Sequence, residues 1–400
     1  MIERNQYLDD IKNLIDKNVI KVLTGVRRCG KSTLLYLIKD YLKKQGISED
    51  NIIYVDLEAI DFLNITTINQ LNDYIQSQIK DKSPKFYLFL DEVQRIENWE
   101  KLVNSYFSSK NFDIYITGSN ANLLSGEFAS YLTGRYMEIK VYPFSFKEYL
   151  KYYKNSNLSK KELFNEYLKF GGMPVSFEFN NSKEKNQYLS DLSDSIIYKD
   201  IIKRFNIHDI NLFSRLITFV YSNIGQLVSA SSIVKYLKKD QINVSVNTIY
   251  NYLSYMEEAC LIYKVKREDL FGKKLLNHLE KYYLVDIGFR QAIFSSNLRD
   301  IGQSLENIVY IELLRRGYKV NIGKFKDKEI DFVCTKENKK IYVQVSYILT
   351  DDKTIKREFA PLLNIKDNYP KYVMSLDEFD MSRDGIIHLN IMDFLCENEL

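Results

Sequence analysis

The stretch Val22–Leu35, VLTGVRRCGKSTLL, decides the fold of this chain. Its glycines, lysine and serine fill the pattern G-x-x-x-x-G-K-[S/T], a loop whose backbone N–H groups surround phosphate groups. Such a loop needs a buried strand before it and a helix after it. Ile20–Thr24 is a β-rich apolar run, and Lys31–Lys44 carries apolar residues at helical spacing, so both elements are predicted. We therefore expect a nucleotide-binding loop rather than a chance glycine-rich turn before a core helix.

The whole loop is assigned to nucleotide binding. Lys31 is expected to place a cation at the β- and γ-phosphates, and the Ser32 hydroxyl is expected to reach Mg²⁺. ATP and Mg²⁺ are therefore the predicted cofactors. The residues assigned to the nucleotide are Gly25, Val26, Arg27, Arg28, Cys29, Gly30, Lys31, Ser32 and Thr33.

A second apolar run, Phe86–Asp91 (FYLFLD), is typical of a central parallel strand with both faces covered. It ends in Asp91 and Glu92. One carboxylate at such a strand tip holds the Mg²⁺ shell, and the next polarises the attacking water. Two adjacent acids after a strand are often only solvated, but a phosphate loop upstream favours the functional interpretation. Asp91 is therefore predicted as a metal ligand and Glu92 as a catalytic residue.

Two further catalytic positions follow along the chain. The strand Asp113–Thr117 is followed by a Gly-Ser-Asn turn, in which Ser119 or Asn120 is expected to sense the γ-phosphate or to orient the water. Arg135 precedes the predicted strand Tyr136–Val141 and is a candidate arginine finger. The alternatives are an ordinary turn at the first position and a surface arginine or salt bridge at the second.

The composition indicates a multidomain globular protein. The chain has 400 residues, 45% of them hydrophobic, and 56 basic against 53 acidic residues. This near balance of positive and negative charge does not indicate nucleic-acid or membrane binding by the chain as a whole. The four cysteines and three histidines are scattered, so reduced thiols, no structural zinc and a cytoplasmic location are expected. No apolar run approaches the length of a membrane span.

Several strings together carry a family resemblance that covers nearly the whole chain. They are GVRRCGKSTLL, FLDEVQRIENWEKLVN, ITGSNANLLSGE, LTGRY, PFSFKEYL and GGMP, followed by KDIIKR at 199–204, KYYLVDIG at 281–288 and EIDF at 329–332. The chain resembles the prokaryotic AAA-superfamily ATPases that carry a C-terminal domain of unknown function. The resemblance implies an ATP-binding domain with the strand order of the AAA and RecA-like branch, a winged helix and a small nuclease-like module. It carries over Lys31, Ser32, Asp91, Glu92 and Arg135, and it leaves the sensor open between Ser119 and Asn120.

The middle of the chain predicts a winged helix. Three helical patterns, Leu212–Asn223, Ala230–Lys238 and Val246–Glu258, precede two β-like runs, Leu261–Arg267 and Lys281–Val285. The third helix carries no Lys or Arg, which disfavours DNA reading. The hairpin is more basic, and either DNA contact or a solvated surface explains it. The basic residues of the hairpin are Lys264, Lys266, Arg267, Lys273, Lys274 and Lys281.

The last hundred residues resemble the core of a PD-(D/E)XK nuclease, in which carboxylates bind metal and activate water. Glu306 and Asp331 match that pattern. Gln344 and Ser346 replace the acid and lysine of its E-x-K element, which removes one ligand and the cation. Glu329, on the same strand face as Asp331, or Glu312 could restore a ligand. We expect a pseudo-nuclease.

The predicted fold is α/β: an AAA-like P-loop NTPase with a parallel sheet flanked by helices, then a winged helix and a small α/β nuclease-like domain. The expected boundaries are 1–142 for the ATPase core, 143–208 for a helical lid and connector, 209–290 for the winged helix and 291–400 for the C-terminal domain. The predicted function is Mg²⁺-dependent ATP hydrolysis that drives or switches movement of the C-terminal domains. The partners expected are ATP, a protein client and further copies of the chain. The alternative is a DNA-binding or DNA-processing factor with an ATP-regulated nuclease module. A third hypothesis is a nucleotide-binding regulator that hydrolyses hardly any ATP.

Overall fold

The computed structural model describes residues 2–81, 84–124, 132, 134–270, 272, 274–294, 301–325 and 328–397. The chain divides into two units. The first comprises residues 1–141 with 258–260, and the second comprises residues 142–257 and 261–400. Each unit contains its own sheet.

The sheet of the first unit has five strands, all parallel, in the order β2-β3-β4-β1-β5. The strands are β1 (Ile20–Thr24), β2 (Ile52–Asp56), β3 (Phe86–Asp91), β4 (Phe112–Gly118) and β5 (Tyr136–Lys140). β1 and β3 are buried throughout, as continuous apolar runs covered on both faces require. In β1 this includes Lys21, whose ammonium forms a buried ion pair with Asp113 of β4. The parallel sheet agrees with the predicted P-loop NTPase fold.

The described residues of this unit form the helices α1 (Asn5–Lys12), α2 (Lys31–Lys44), α3 (Ile68–Gln78) and α4 (Trp99–Ser108). α2 has the bounds predicted from its apolar spacing. α3 begins at a capping box in which Thr67 and Gln70 satisfy each other's backbone N–H groups. α3 and α4 bury Leu71, Ile75 and Val103 against one face of the sheet in a single apolar cluster.

The second unit begins with helices and ends with a sheet. Its helices are α5 (Phe146–Tyr152), α6 (Lys160–Phe170), α7 (Ser182–Ile196), α8 (Ile210–Ser222), α9 (Ala230–Lys239), α10 (Val246–Glu258), α11 (Ile287–Phe294), α12 (Ile301–Arg315), α13 (Asp352–Leu363) and α14 (Ile391–Phe394). α7 continues into a π-helical turn, Ile197–Ile202. Ser145 and Ser159 form capping boxes with Glu148 and Glu162, which fix where α5 and α6 begin.

The second sheet has seven strands in the order β12-β11-β10-β9-β8-β6-β7. They are β6 (Ile262–Asp269), β7 (Lys274–Leu284), β8 (Lys319–Phe325), β9 (Lys328–Lys336), β10 (Lys339–Val345), β11 (Lys371–Ser375) and β12 (Ile387–Asn390). β6 and β7 form an antiparallel hairpin directly after the three helices α8, α9 and α10. Three helices and a hairpin therefore follow one another as the sequence predicted.

The hairpin differs from a free wing in one respect. Residues Arg267–Asp269 of β6 pair in parallel with Ile322–Lys324 of β8, so the hairpin is the outer part of the C-terminal sheet. Short-range patterns identify a hairpin but say nothing about a partner strand more than fifty positions away. The predicted Lys273 lies outside the described residues.

A buried carboxylate joins the motif GGMP to the motif VDIG within the second unit. Asp286 accepts hydrogen bonds from the backbone N–H groups of Gly172, at 2.7 Å, and Gly288, at 2.8 Å. A Cβ atom added at Gly171, which has φ +68°, would lie 1.8 Å from an Asp286 oxygen. Only glycine leaves room for the carboxylate there, so the two distant motifs are parts of one contact.

Among the helices in the described part of the chain, none is long and apolar enough to cross a bilayer.

Candidate functional site

The phosphate-binding loop lies where β1 ends and α2 begins. Gly25 has φ +149°, and a Cβ atom there would lie 2.2 Å from the carbonyl oxygen of Val141, so any side chain is excluded. Gly30 has φ +103° and is the N-cap of α2, and no side chain caps this helix end. The N-terminus of a 14-residue helix therefore presents its backbone N–H groups at the loop. These features fit a bound polyphosphate.

Lys31 is the buried cation of this loop, with 3% of its surface exposed. Its ammonium donates to the carbonyl oxygens of Gly25, at 3.0 Å, and Val26, at 3.3 Å. It also lies 3.5 Å from Glu92 Oε1. Burial opposes the charge more strongly than any single neighbour favours it, but the neighbouring acidic groups, Glu92 foremost, together raise the pKa of Lys31. Lys31 is therefore a fixed positive charge at the loop.

The two acids after β3 have different surroundings. Asp91 accepts hydrogen bonds from the Thr117 hydroxyl and, at 3.0 Å, from Tyr54 OH, and the Ser32 hydroxyl is a further hydrogen-bonding neighbour. Burial raises the pKa of Asp91 in spite of these donors. The structure thus brings together Ser32 and Asp91, the two predicted metal ligands.

Glu92 has its backbone in the left-handed region, with φ +53°, which turns the chain sharply after the strand. Its carboxylate accepts from the backbone N–H of Ser119 at 3.2 Å, from Ser119 Oγ at 3.0 Å and from the Gln94 amide. Burial works against ionisation, but the Lys31 ammonium and these donors hold the pKa of Glu92 below its ordinary value. Glu92 is therefore an ionised, oriented carboxylate, as a water-polarising residue must be.

Of the two sensor candidates, Ser119 contacts Glu92 directly. Asn120 is buried, with 2% of its surface exposed, and its backbone carbonyl oxygen accepts a hydrogen bond from the backbone N–H of Leu123 at 3.2 Å. Both lie just past the end of β4, between the loop strand β1 and the acid-bearing strand β3. The structure therefore places both residues at the edge of the sheet where the phosphate loop lies.

The remaining loop residues divide into inward and outward side chains. Cys29 is buried and contacts the carbonyl oxygen of Val141 at 3.2 Å. Arg27 forms an ion pair with Glu58 at 2.8 Å, and Arg28 is exposed. Arg4, buried beside the loop, donates to the carbonyl oxygen of Cys29 at 3.1 Å. Two side chains outside the motif, those of Glu58 and Arg4, thus contact the loop at Arg27 and Cys29.

Arg135 lies at the other end of the sheet. It directly precedes Tyr136, which pairs with Ile20 at the beginning of β1, whereas the phosphate loop follows the end of that strand. At about 3.3 Å per residue this separates Arg135 from the loop by roughly 15 Å. Its guanidinium contacts Asn104 and lies 5.9 Å from the centre of the Phe107 ring. The exposed Arg135 does not reach the loop of its own chain in this structure.

The acids predicted for the nuclease-like module do meet, around an unexpected partner. Glu306 of α12 and Asp331 of β9 lie near each other, with Glu329 beside them and the ammonium of Lys281 among them. Gln344 donates to Glu358 at 3.0 Å, and Ser346 is buried directly after β10. Glu312, the other predicted substitute ligand, is committed elsewhere in ion pairs with Arg315 and Arg316.

Comparison with known proteins identifies relatives along the whole chain. An uncharacterized protein of Haemophilus influenzae is 40% identical over 401 residues, which is 99% of this chain and 99% of that protein. The uncharacterized protein MJ1544 of Methanocaldococcus jannaschii is 33% identical over 86% of this chain and 78% of its own length. This chain belongs to the family of these two proteins.

Two segments of this chain match known domain families. Residues 17–150 match the AAA domain, and residues 161–328 match a domain of unknown function, DUF8612. The AAA match spans the phosphate loop, both acids after β3, both sensor candidates and Arg135. The first unit is thus an AAA domain of the P-loop ATPase type, as predicted. The second match spans the helices α7 to α12 and the hairpin.

Two solved structures show distant likenesses. The Orc1 protein of Aeropyrum pernix in complex with DNA is 9% identical with a TM-score of 0.33, over 73% of this chain and 92% of that one. A DNA polymerase III gamma subunit-related protein of Thermotoga maritima is 12% identical with a TM-score of 0.29, over 63% of this chain and 99% of that one. At such scores the function must be argued from the family member's own site.

Sequence reasoning missed three residues of this site. Thr117 donates to Asp91 and accepts from the backbone N–H of Glu92 at 2.9 Å, so it fixes both acids. Tyr54 and Gln94 supply the further donors to Asp91 and Glu92 described above. Thr117 could have been predicted from the sequence, because it is a threonine at the end of an apolar strand that follows the acid-bearing strand. The other two depend on contacts that no local pattern contains.

Proposed function

We propose that this protein binds ATP with Mg²⁺ at the phosphate loop of its first unit and hydrolyses the terminal anhydride bond. The observation that carries the proposal is the convergence of a buried ammonium and two oriented carboxylates at the carboxyl ends of β1 and β3. In this assignment Lys31 binds the β- and γ-phosphates. Glu92 accepts a hydrogen bond from the attacking water and orients it towards the γ-phosphorus.

The assigned metal ligands are Ser32 and Asp91. A bound Mg²⁺ neutralises the charge that develops on the phosphate oxygens. Thr117 and Tyr54 hold the Asp91 carboxylate in one orientation, and burial keeps bulk water away from it. Ser119 and Gln94 do the same for Glu92, and Asn120 remains the second sensor candidate.

Hydrolysis is proposed to drive or switch movement of the second unit, with Arg135 completing the site of a neighbouring copy of the chain. The position of Arg135 supports action in trans, because it is exposed and lies at the far end of β5 from its own loop. A homo-oligomer is therefore part of the proposal.

A protein client is favoured over DNA as the object of that movement. The exposed face of α10, which includes Asn247, Tyr250 and Asn251, carries no positive charge. In the hairpin, Lys264 pairs with Glu257 at 3.5 Å, and Lys281 is buried among acids. These pairings leave less positive charge for phosphate neutralisation than the sequence predicted.

The decisive experiment measures steady-state ATP turnover of the full chain with Mg²⁺, in the presence and absence of duplex DNA. We expect turnover that DNA does not change. Lys31→Ala should abolish tight ATP binding, and Glu92→Gln should keep binding while reducing turnover by at least about 10²-fold, because the water loses its orienting carboxylate.

Matched controls are available on the same elements. Lys44→Ala changes an exposed lysine at the end of α2, and Glu97→Gln changes an exposed acid close to Glu92 in sequence. Both should retain parental turnover. Unchanged turnover in Glu92→Gln would contradict the assignment, and strong stimulation by DNA would favour the DNA-processing alternative.

A further inference from the structure

The second unit contains a cluster of three carboxylates around one buried ammonium. Lys281 Nζ lies 2.8 Å from Glu306 Oε1, 2.8 Å from Glu329 Oε1 and 3.8 Å from Asp331 Oδ1. The lysine side chain is 4% exposed, those of Glu306 and Asp331 are 13% and 11% exposed, and that of Glu329 is 30% exposed. We call these four residues the Lys281 cluster.

The members of the Lys281 cluster come from three elements. β9 places Glu329 and Asp331 on one face, because side chains two apart in a strand point the same way. α12 contributes Glu306, and β7 contributes Lys281 from 25 positions earlier in the chain. The cluster therefore joins the hairpin to the helix and strand that carry the nuclease-like acids.

Two of the carboxylate oxygen atoms of the cluster accept hydrogen bonds from donors of this chain. Glu306 Oε1 accepts from Tyr283 OH at 2.6 Å as well as from Lys281. Asp331 Oδ2 accepts from the backbone N–H of Val345 at 2.8 Å. Gln344, at the position of the missing acid, accepts from the Asp331 N–H at 3.3 Å.

These residues do not fit a resident divalent cation. A hard cation such as Mg²⁺ needs several carboxylate or carbonyl oxygens directed at one point. In the ranges that the structure describes, no three or more His, Cys, Asp or Glu side chains are arranged to hold a metal. The point towards which the three carboxylates converge is taken by an ammonium group.

We propose that Lys281 takes the place of the metal ion in this nuclease-like module, so that the three carboxylates form an internal ion cluster and bind no divalent cation. A primary ammonium supplies one positive charge and three N–H donors. Here two carboxylates lie 2.8 Å from it and the third, that of Asp331, lies 3.8 Å away. The module can keep its three carboxylates close together because the lysine charge offsets part of the free-energy cost of removing them from water.

Electrostatics support this assignment. Burial opposes the charge of the lysine, yet the Glu306, Asp331 and Glu329 carboxylates raise its pKa, so the ammonium stays charged. Burial, with Glu306 adding to it, raises the pKa of Asp331 well above its ordinary value even beside Lys281. Removing the lysine would take away a charge that opposes this rise, so the acids would bind protons or another cation more readily.

The backbone closes one side of the Lys281 cluster. Gly225 has φ +68°, and a Cβ atom there would lie 3.2 Å from Glu306 Oε2. The Gly225 N–H donates to the carbonyl oxygen of Tyr282 at 3.1 Å, next to Lys281. A nucleic-acid phosphate therefore has no approach to Glu306 from this side.

The test is a Mn²⁺ titration of the nucleotide-free full chain, followed by electron paramagnetic resonance of the free ion. Parent protein and Asp331→Asn should bind Mn²⁺ equally, since any binding at the phosphate loop is common to both. Lys281→Met should gain about one Mn²⁺ per chain, at least tenfold tighter than any parental binding, and adding Asp331→Asn should remove it. Lys281→Arg keeps a cation and should gain none.

Thermal unfolding gives a second readout if Lys281→Met folds poorly. Mn²⁺ should raise the Tm of Lys281→Met by several degrees more than that of the parent protein, because a ligand stabilises the state that binds it. Asp331-dependent Mn²⁺ binding by the parent protein would overturn the proposal. So would a folded Lys281→Met protein that gains no Mn²⁺.

Discussion

Lys31, at the beginning of α2, and Glu92, directly after β3, form an ion pair 3.5 Å long over the end of β4. The same ammonium is assigned to the phosphates of ATP, so Glu92 and the nucleotide compete for it. The carboxylate must release Lys31 when it takes up the water. The ion pair thus couples the binding of ATP at Lys31 to the release of the Glu92 carboxylate for the attacking water.

The first prediction follows from this competition. Glu92→Gln should bind ATP about five- to tenfold more tightly than the parent protein, since losing a competing charged partner is worth about 1 kcal/mol. A titration with a fluorescent ATP analogue measures the affinity. Equal or weaker binding would show that Glu92 does not restrain Lys31.

The second prediction concerns Thr117, which donates to Asp91 and accepts from the Glu92 N–H. Thr117→Val should lower the free energy of unfolding by about 1–3 kcal/mol, because it leaves a buried donor and acceptor unsatisfied. Turnover should fall as well. Urea unfolding and ATPase assays check this, with Thr117→Ser as the control that keeps the hydroxyl; a Thr117→Ser protein as damaged as Thr117→Val would argue for the methyl group instead.

The third prediction concerns Arg135. Arg135→Ala should lower turnover by about 10³-fold or more if the residue acts as a finger. Mixing Arg135→Ala with Glu92→Gln chains should restore part of the activity, because one interface then carries both intact residues. A monomer by light scattering, with no restoration on mixing, would leave Arg135 a structural role with Asn104 and Phe107.

The fourth prediction is that the nuclease-like module does not cut DNA. Linear and circular DNA incubated with the full chain and Mg²⁺ or Mn²⁺ should stay intact, since the carboxylates are paired with Lys281. Asp331→Ala is the matched variant. Cleavage by the parent protein that disappears in Asp331→Ala would show that the module is an active nuclease in which Lys281 takes part in catalysis.

The fifth prediction is a pH dependence centred on Asp286. Burial raises the pKa of this carboxyl to about 6, against hydrogen bonds from Gly172 and Gly288 that lower it. The folded chain therefore binds this proton more tightly than the unfolded chain does. Its contribution to stability is present below the unfolded pKa near 4 and is lost as the pH rises through 6, by about 3 kcal/mol at most.

Asp286→Asn tests this pH dependence because it cannot ionise. Urea unfolding midpoints measured from pH 4 to pH 7 should fall more for the parent protein than for the variant. Parallel curves for the two proteins would assign the titration to other groups.

The sequence predicted the elements of the first unit well for a physical reason. Buried parallel strands such as β3 are continuous apolar runs, and α2 shows an apolar face with regular spacing, so local periodicity contains the answer. The same logic predicts that Lys31, Ser32, Asp91 and Glu92 lie near one another, because the carboxyl ends of parallel strands meet at one edge. In the structure Lys31 lies 3.5 Å from Glu92, and Ser32 is a hydrogen-bonding neighbour of Asp91.

Long-range contacts were beyond that reasoning. Lys281 was assigned to a basic hairpin surface, since its own neighbours in sequence are polar and charged. The carboxylates that bury it stand 25 and more positions later. The contact of Asp286 with Gly172 spans 114 positions and has no periodic signal. Arg135 was identified by its neighbours in the chain, but its distance from the loop depends on strand pairing.

The pairing of β6 with β8 also bears on how this chain can be divided. A fragment that begins after α11 would keep β8 but lose Arg267–Asp269, leaving the N–H and C=O groups of one strand edge without their partners. Such an open edge is a template for strand addition between molecules and hence for aggregation. A soluble C-terminal fragment must therefore begin before Ile262, within the segment that sequence motifs would assign to a different domain.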